Sequence, residues 1–339
     1  AYRTFRWDSE ASLKAHVHCV IVGFSVQDNP CKKLLFTSER VQYVQNISPY
    51  LIDAPTLFIE NRSKPICLVP EICKGSQPTD GGNLIITESE YNDFIRREPS
   101  SIKYIRLFLG ADEFLNGKKR YCLWLVGASP KELQAMPLVL ERVKKVREFR
   151  QSSKKAATRK QADTPTLFTE NRPPLENFIA IPEVSSGTRR YIPMGFLNSN
   201  IICSNKLQLL PSASIYHFGV LMSNVHMAWM RSVCGRLKSD YDYSARIVYN
   251  SFPWPAPTDE QRTKIEQTAQ AILDARNLYP DCSLADLYDE ATMPPELRKA
   301  HQQNDKAVMQ AYGFWGKLNT ESACVAELMK MYQKLTEQG

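Results

Sequence analysis

A mixed α+β fold is predicted: short strands and helices over residues 51–257, then a small C-terminal helical region over residues 258–339. Three features of the 339-residue sequence lead there. Short runs of β-branched and aromatic residues alternate with turn signals through the first three quarters. Apolar residues recur at helical spacing through the remainder. Pro253, Pro255 and Pro257 separate the two regimes, since closely spaced prolines break regular structure. The composition, 43% hydrophobic and 23% charged, is that of a globular chain long enough for two or three modest cores. No apolar run reaches the length of a membrane span, and no segment reads as a signal peptide. Ala1-Tyr2-Arg3-Thr4-Phe5 reads as the middle of a domain rather than a natural start.

In chain order, residues 16–24 are apolar and β-branched enough for a buried strand. His16 and His18 beside Cys19 are read there as structural side chains, because zinc needs about four converging ligands. Strands are expected at 84–87, 104–109 and 121–126, with a helix over 88–97 between them. A basic helix is expected over 138–160, its narrow apolar stripe formed by Leu138, Val143 and Val146. Strands are then expected at 178–181, 201–203, 207–210 and 215–220. Ser223 is placed to cap a helix whose stripe is Val225, Trp229, Val233 and Leu237. In the last region Thr258 and Gln261 form a capping box, Pro294-Pro295 opens a second helix, and Val325, Leu328, Met329, Tyr332 and Leu335 mark a third. One octapeptide, Pro55 to Arg62, recurs with a single change as Pro165 to Arg172. Two copies cannot make a solenoid, which leaves a duplicated half-domain or coincidence.

The chemistry that is missing narrows the function. There is no glycine-rich phosphate loop, no G-x-S-x-G elbow and no H-E-x-x-H pair. Asn46-Ile47-Ser48-Pro49-Tyr50 resembles the tetrapeptide of amino-methyltransferases, but it has one proline where two are needed. No catalytic residue and no metal site can be assembled. The nine cysteines follow no framework, which suits a reducing cytoplasm.

Charge points to a polyanion. Residues 258–339 hold nine basic and thirteen acidic side chains, a net of −4, so residues 1–257 carry +11 of the overall +7. Lys154, Lys155, Arg159 and Lys160 lie in a segment suited to phosphate contact, which supplies affinity without sequence information. Arg189-Arg190 near Ser185-Ser186 forms a second such cluster. Arg236, a further candidate for phosphate contact, precedes Lys238-x-Asp240-x-Asp242, where Lys can donate to guanine O6 and N7 and Asp can accept from cytosine N4. The alternative for that pattern is a surface ion pair of under about 1 kcal/mol. Two functions remain open on this basis: reading double-stranded DNA, or docking a partner subunit through a basic face and a helical tail.

Longer strings add a resemblance. Cys234-Gly235-Arg236-Leu237-Lys238-Ser239-Asp240-Tyr241, Phe252-Pro253-Trp254-Pro255, Arg190-Tyr191-Ile192-Pro193-Met194-Gly195-Phe196, Tyr216-His217-Phe218-Gly219 and Ser153-Lys154-Lys155-Ala156 resemble MmeI-like (type IIL/IIG) restriction-modification DNA methyltransferases. So do Asp80-Gly81-Gly82-Asn83 and Arg120-Tyr121-Cys122-Leu123. The resemblance implies that residues 1–50 are terminal strands of a truncated methyltransferase domain, 51–257 a DNA target-recognition domain and 258–339 a helical tail. It implies a bacterial, cytoplasmic parent that moves a methyl group from S-adenosylmethionine to adenine N6, with the cofactor-binding domain, and in some relatives a nuclease, lying upstream of Ala1. This chain alone is then expected to hold no cofactor and to be inactive. The resemblance also carries over base-reading positions: Lys238 with Asp240 at one base pair, Asp242 beside it, Lys206 with Asn205 at another, and Glu183 at a further contact.

Overall fold

The computed structural model describes residues 1–8, 16–27, 30–37 and 40–337. Strands β1 (Tyr2–Asp8), β2 (His16–Ile21), β3 (Lys33–Phe36) and β4 (Val41–Val44) form a sheet in the order β2-β1-β3-β4, with β1 and β3 parallel. The strand expected at 16–24 is therefore present over His16–Ile21 and pairs with β1, but its described end is not buried. Val20, Ile21, Val22 and Phe24 are 49–88% exposed. β-Branching sets an extended backbone, whereas burial needs a second layer that local sequence cannot supply. The side chains of His16 and His18 lie outside the described residues.

The chain continues through β5 (Cys73–Lys74), β6 (Ile85–Thr87), α1 (Glu88–Arg97), β7 (Ile105–Leu109), α2 (Ala111–Asn116), β8 (Arg120–Leu123), α3 (Pro130–Gln134), α4 (Pro137–Gln151) and α5 (Ala156–Lys160). Thr87 and Glu90 close a capping box that starts α1 where the sequence expects it. Helices α1 and α4 bury Phe94, Val139, Val143 and Val146 in one core with Ile86 and Leu123 of the sheet. The single basic helix expected over 138–160 is interrupted. Helix α4 stops at Gln151, and its last turn turns inward, because Arg150 is fully buried. All five of its N–H donors are used on carbonyls: Nε on Thr79, Nη1 on Gln161 and Thr164, and Nη2 on Pro78 and Leu167, at 2.7–3.0 Å. This guanidinium staples two loops and is removed from the set of surface cations.

Strands β9 (Phe178–Pro182), β10 (Val184–Ser185), β11 (Gly195–Leu197), β12 (Ile202–Cys203) and β13 (Leu207–Pro211) follow. One sheet has the order β11-β9-β13-β5, and another the order β12-β7-β8-β6. Next come α6 (Ile215–Leu221) and α7 (Asn224–Val233). The strand expected at 215–220 is thus a helix. Tyr216, Phe218, Gly219, Val220 and Leu221 are all buried, so the apolar residues show no 3.6-residue period and read as β. His217 Nδ1 accepting from Ser214 N at 3.0 Å starts the helix instead. Ser223 caps α7 by accepting from His226 N, but the helix ends at Val233. Leu237 leaves the expected stripe for the strand β14 (Gly235–Leu237), where it is 56% exposed. Strand β15 (Asp240–Asp242) completes a small sheet ordered β10-β15-β14.

The last region holds α8 (Asp259–Asn277), α9 (Leu284–Leu287), α10 (Pro295–Ala311) and α11 (Glu321–Glu337). The Thr258–Gln261 capping box is formed. These helices share one continuous core with α6 and α7, joined by Phe252 and Trp254 of the proline-rich segment. Buried polar links fix their placement: Asn304 Nδ2 donates to Gly219 O at 2.7 Å, Arg276 Nη1 to Met194 O at 2.7 Å, and Tyr191 Oη to Asp305 at 2.7 Å. The two copies of the octapeptide occupy unlike settings. Phe58 is 69% exposed, whereas its counterpart Phe168 is buried in the core of the β6–β8 sheet.

Candidate nucleic-acid interface

Lys238 and Ser239 form the tip of the β14–β15 hairpin, in which Leu237 pairs with Asp240, Arg236 with Tyr241 and Gly235 with Asp242. Two-residue hairpin turns favour a positive φ at their first position, and Lys238 adopts it at φ 57°. For a non-glycine residue that conformation costs of order 1 kcal/mol or more, held here by the surrounding pairs. Strand alternation sends Tyr241 inward, 5% exposed, and puts Asp240 and Asp242 together on the other face. The pattern Lys238-x-Asp240-x-Asp242 is thus a hairpin feature and not the end of a helix. Among the described residues Lys238 makes no ion pair. Asp240 accepts from Gly187 N at 3.3 Å instead. Arg236 braces the turn: its guanidinium lies 4.1 Å from the centre of the Tyr241 ring and donates to Ser239 O at 3.1 Å.

Three buried side chains lie behind the hairpin. Tyr243, just beyond β15, is fully buried, and its hydroxyl lies 2.9 Å from His226 Nε2 on α7. Burial pushes the His226 imidazole down to about 3, so it is neutral at physiological pH. On the next helix turn, Trp229 Nε1 donates to Val248 O at 3.0 Å.

Glu183 joins the hairpin to the turn before β13. Its carbonyl accepts from Tyr243 N at 2.8 Å, and its N–H donates to Lys206 O at 3.1 Å. Its carboxylate lies between two ammonium groups, Lys74 Nζ at 3.0 Å from Oε1 and Lys206 Nζ at 3.2 Å from Oε2. Burial raises the carboxyl pKa, but the two lysines outweigh it and hold the group below the usual carboxylate range. Asn205 is half-buried in the same turn as Lys206. Glu183, Asn205, Lys206, Asp240 and Asp242 thus come from three separate stretches of chain onto adjoining strands, with Lys238 at the hairpin tip. Lys74 is the participant that sequence reading missed. It sits 109 positions before Glu183, and nothing in Glu71-Ile72-Cys73-Lys74 marks it.

The cationic candidates divide. Arg189 is half-buried beside the hairpin and donates to Ser185 Oγ at 3.4 Å; burial lowers its pKa while Asp240 and Asp289 counter the shift. Arg190 is exposed and lies 5.7 Å from the Tyr191 ring. Lys154, Lys155 and Lys160 are exposed and make no ion pair among the described residues, whereas Arg159 folds back onto the carbonyls of Ser153 and Lys154. Among the described residues no hydrogen bond or ion pair connects the 154–160 segment to the hairpin.

Residues 53–256 match the family described as MmeI, target recognition domain. The chain belongs to the MmeI family. Residues 257–338 match the MmeI C-terminal domain. The chain is 48% identical to the Type IIL restriction-modification enzyme MmeI solved in complex with DNA, with a TM-score of 0.92 over 99% of this chain. It is also 40% identical, over 337 residues, to DNA methyltransferase A of Bacillus subtilis. It spans 45% of the first and 38% of the second. Among the described residues no helix is long and apolar enough to cross a membrane.

Proposed function

We propose that this chain reads a specific base sequence in double-stranded DNA on behalf of a bacterial S-adenosylmethionine-dependent adenine-N6 DNA methyltransferase. The observation that carries the reading is the 48% identity and 0.92 TM-score, across nearly the whole chain, to an enzyme solved on DNA. The surface has the matching chemistry. The hairpin tip offers a free lysine as donor and two aspartates as acceptors, the groups that distinguish the two sides of a G·C pair in the major groove. Lys154, Lys155, Lys160, Arg189 and Arg190 would hold phosphates, while Arg236 serves chiefly to shape the turn. Residues 51–257 form the recognition unit in this reading, and 258–339 a helical buttress beneath it.

No cofactor site is assigned to this chain. A cleft of about 810 Å³ beside Arg189 and Arg190 holds Glu321, yet both oxygens of that carboxylate are taken by Arg231, at 2.8 and 3.1 Å. Glu321 is thus committed to an ion pair with Arg231. Methyl transfer is assigned to residues outside this sequence, and the chain's own part is to bind and orient the duplex.

Selection from a random duplex library tests the reading. A motif containing a G·C pair should be enriched, with binding weakening steeply between roughly 50 and 200 mM salt. The double change Lys238→Glu with Asp240→Arg should reverse the preferred orientation of one G·C pair, since donor and acceptor trade places. Salt-insensitive binding, or no binding at either concentration, would favour a protein-docking role instead.

A further inference from the structure

We propose that the cleft between the recognition unit and the helical tail is a phosphate-binding site, where the loop joining α10 to α11 meets the DNA backbone. This rests on the DNA-recognition reading above and extends it, because the tail then touches the duplex as well as supporting the unit that reads it. Arg189 and Arg190 from the recognition unit line the cleft of about 810 Å³, together with Trp315, Asn319 and Thr320 from the tail. Its lining holds three arginines and one carboxylate, that of Glu321. Arg231 neutralises that carboxylate by donating to both oxygens, and it also donates through Nη1 to Arg190 O at 2.8 Å. One guanidinium thus ties the start of α11 to the backbone that carries Arg190. What the cleft keeps is the positive charge of Arg189 and Arg190.

The loop departs from the rest of the tail in charge. Residues 258–339 carry a net −4, yet the fifteen residues from Lys306 to Thr320 hold two lysines and no acid. Asp305, just before them, is buried and accepts from Tyr191 Oη and Asn224 N, both at 2.7 Å, so its carboxylate is turned inward. Lys306, Lys317, Asn319 and Thr320 are exposed, and among the described residues neither lysine makes an ion pair. Lys306 lies 5.3 Å from the centre of the Trp315 ring, itself 49% exposed. Guanidinium, amide and hydroxyl donors thus surround one opening, with the first N–H groups of α11 at its edge. Such a set takes a phosphodiester. Continuity with the reading hairpin names the polyanion. Ser185 pairs with Tyr241 of β15, and Gly187 N donates to Asp240 at 3.3 Å. Three residues further on, Arg190 reaches the cleft. Three residues span at most about 11 Å, roughly the rise of three base pairs. A strand whose bases lie at the hairpin therefore has phosphates within reach of the cleft.

The test measures binding of the full chain to a random duplex pool, and then to the sequence selected from it, between roughly 50 and 200 mM salt. The variants are Lys317→Gln, Asn319→Asp and, as a control, Lys330→Gln, whose ammonium pairs with Glu327 farther along α11. Thermal unfolding establishes that each is folded. Asn319→Asp should weaken binding by about tenfold, and Lys317→Gln should reduce the salt slope by about one, with the same motif selected throughout. Ethylation of single phosphates locates the contact. One or two positions flanking the pair read at the hairpin should interfere with binding of the unaltered chain and cease to interfere for Asn319→Asp, while Lys330→Gln behaves as the unaltered chain does. Unchanged affinity, slope and interference in both loop variants would make the tail a support only and overturn the proposal, with the DNA-recognition reading intact. A changed motif in either variant would make the loop a base contact and overturn it as well. If the unaltered chain binds no duplex even at low salt, both fall.

Discussion

Arg150 and Lys238 show how far the same kind of charge can diverge in role. Both are cations in basic surroundings, yet one has every N–H donor consumed by backbone carbonyls and the other is free at a strained turn. Charge placed in the interior is tolerated only when each hydrogen bond is made. Lysine has three donors against arginine's five, so Arg150→Lys strands at least two carbonyls. We expect a loss of roughly 3 kcal/mol in urea unfolding, from hydrogen bonds to a charged group worth about 1.5–3 each. An unchanged midpoint would mean that water replaces the missing donors. His226 sets a second expectation. Its pKa falls from 6.5 to about 3 on folding, because burial disfavours the charged ring. The unfolded chain then binds a proton that the folded chain refuses, so this contribution is complete above about pH 6.5 and is lost as the pH falls. At pH 5 the loss is about 2 kcal/mol, and His217, lowered to about 4 by burial and by Arg262, adds in the same sense. Asp305 acts oppositely. Burial raises it to about 6, so between about pH 4 and 6 its contribution falls as pH rises and offsets part of the histidine effect. Denaturation at pH 7 and pH 5 should show a smaller difference for His226→Leu than for the unaltered chain.

Helix α6 carries the most information at the level of elements. Its sequence reads as a strand because it is buried on every side, and tertiary packing makes it a helix. Its fit against α8 leaves no spare volume: a Cβ at Gly219 would stand 2.7 Å from Ile265 Cγ2 and 3.0 Å from Ala269 Cβ. It would also crowd Asn304, whose side chain donates to the Gly219 carbonyl. Gly219→Ala should therefore destabilise the fold by about 1–3 kcal/mol despite alanine's better helix propensity. Differential scanning calorimetry would register this as a lower Tm, and a raised Tm would show that α6 and α8 can part without cost. The hairpin β14–β15 teaches the converse. Alternation about Tyr241 marks its strands, but the positive φ of Lys238 is imposed by the pairing, and the run of apolar residues before it suggested that the helix continued to Leu237. The helix stops because Cys234 is extended and the chain reverses to pair with β15.

Across the whole molecule, residues 1–257 and 258–339 differ in charge and in structure type, but one core draws on both. Gly219, Met194 and Tyr191 each hydrogen-bond to a residue of α8 or α10. Ion pairing adds Arg231 on α7 to Glu321 on α11. Cutting the chain after Pro257 would expose that face, so the fragment 1–257 should be insoluble or lack a cooperative transition, while the full chain unfolds residues 51–337 in one step. Two separated transitions in the full chain, the first matching an isolated 258–339 segment, would show that the tail is an independent domain. The arrangement places α7 behind the hairpin and α11 behind α7, so the tail stiffens the proposed reading surface from behind and adjoins it at Arg189 and Arg190.

Much of this protein is written locally. Residue pattern alone determined strands β2, β6, β7, β8, β9, β12 and β13, helices α1, α8, α10 and α11, the capping box at Thr258, the charge asymmetry, and, through long matching strings, the family. These depend on neighbours a few positions apart, which a sequence displays directly. The tertiary structure decided what depends on partners far along the chain. It made residues 215–221 a helix, left Val20 and Ile21 of β2 exposed, and turned Arg150 inward. It also gathered Lys74, Glu183 and Lys206 from 133 positions of chain onto one carboxylate. Burial and long-range ion pairing are properties of the packed surface against which a residue comes to rest, and no local pattern encodes that surface.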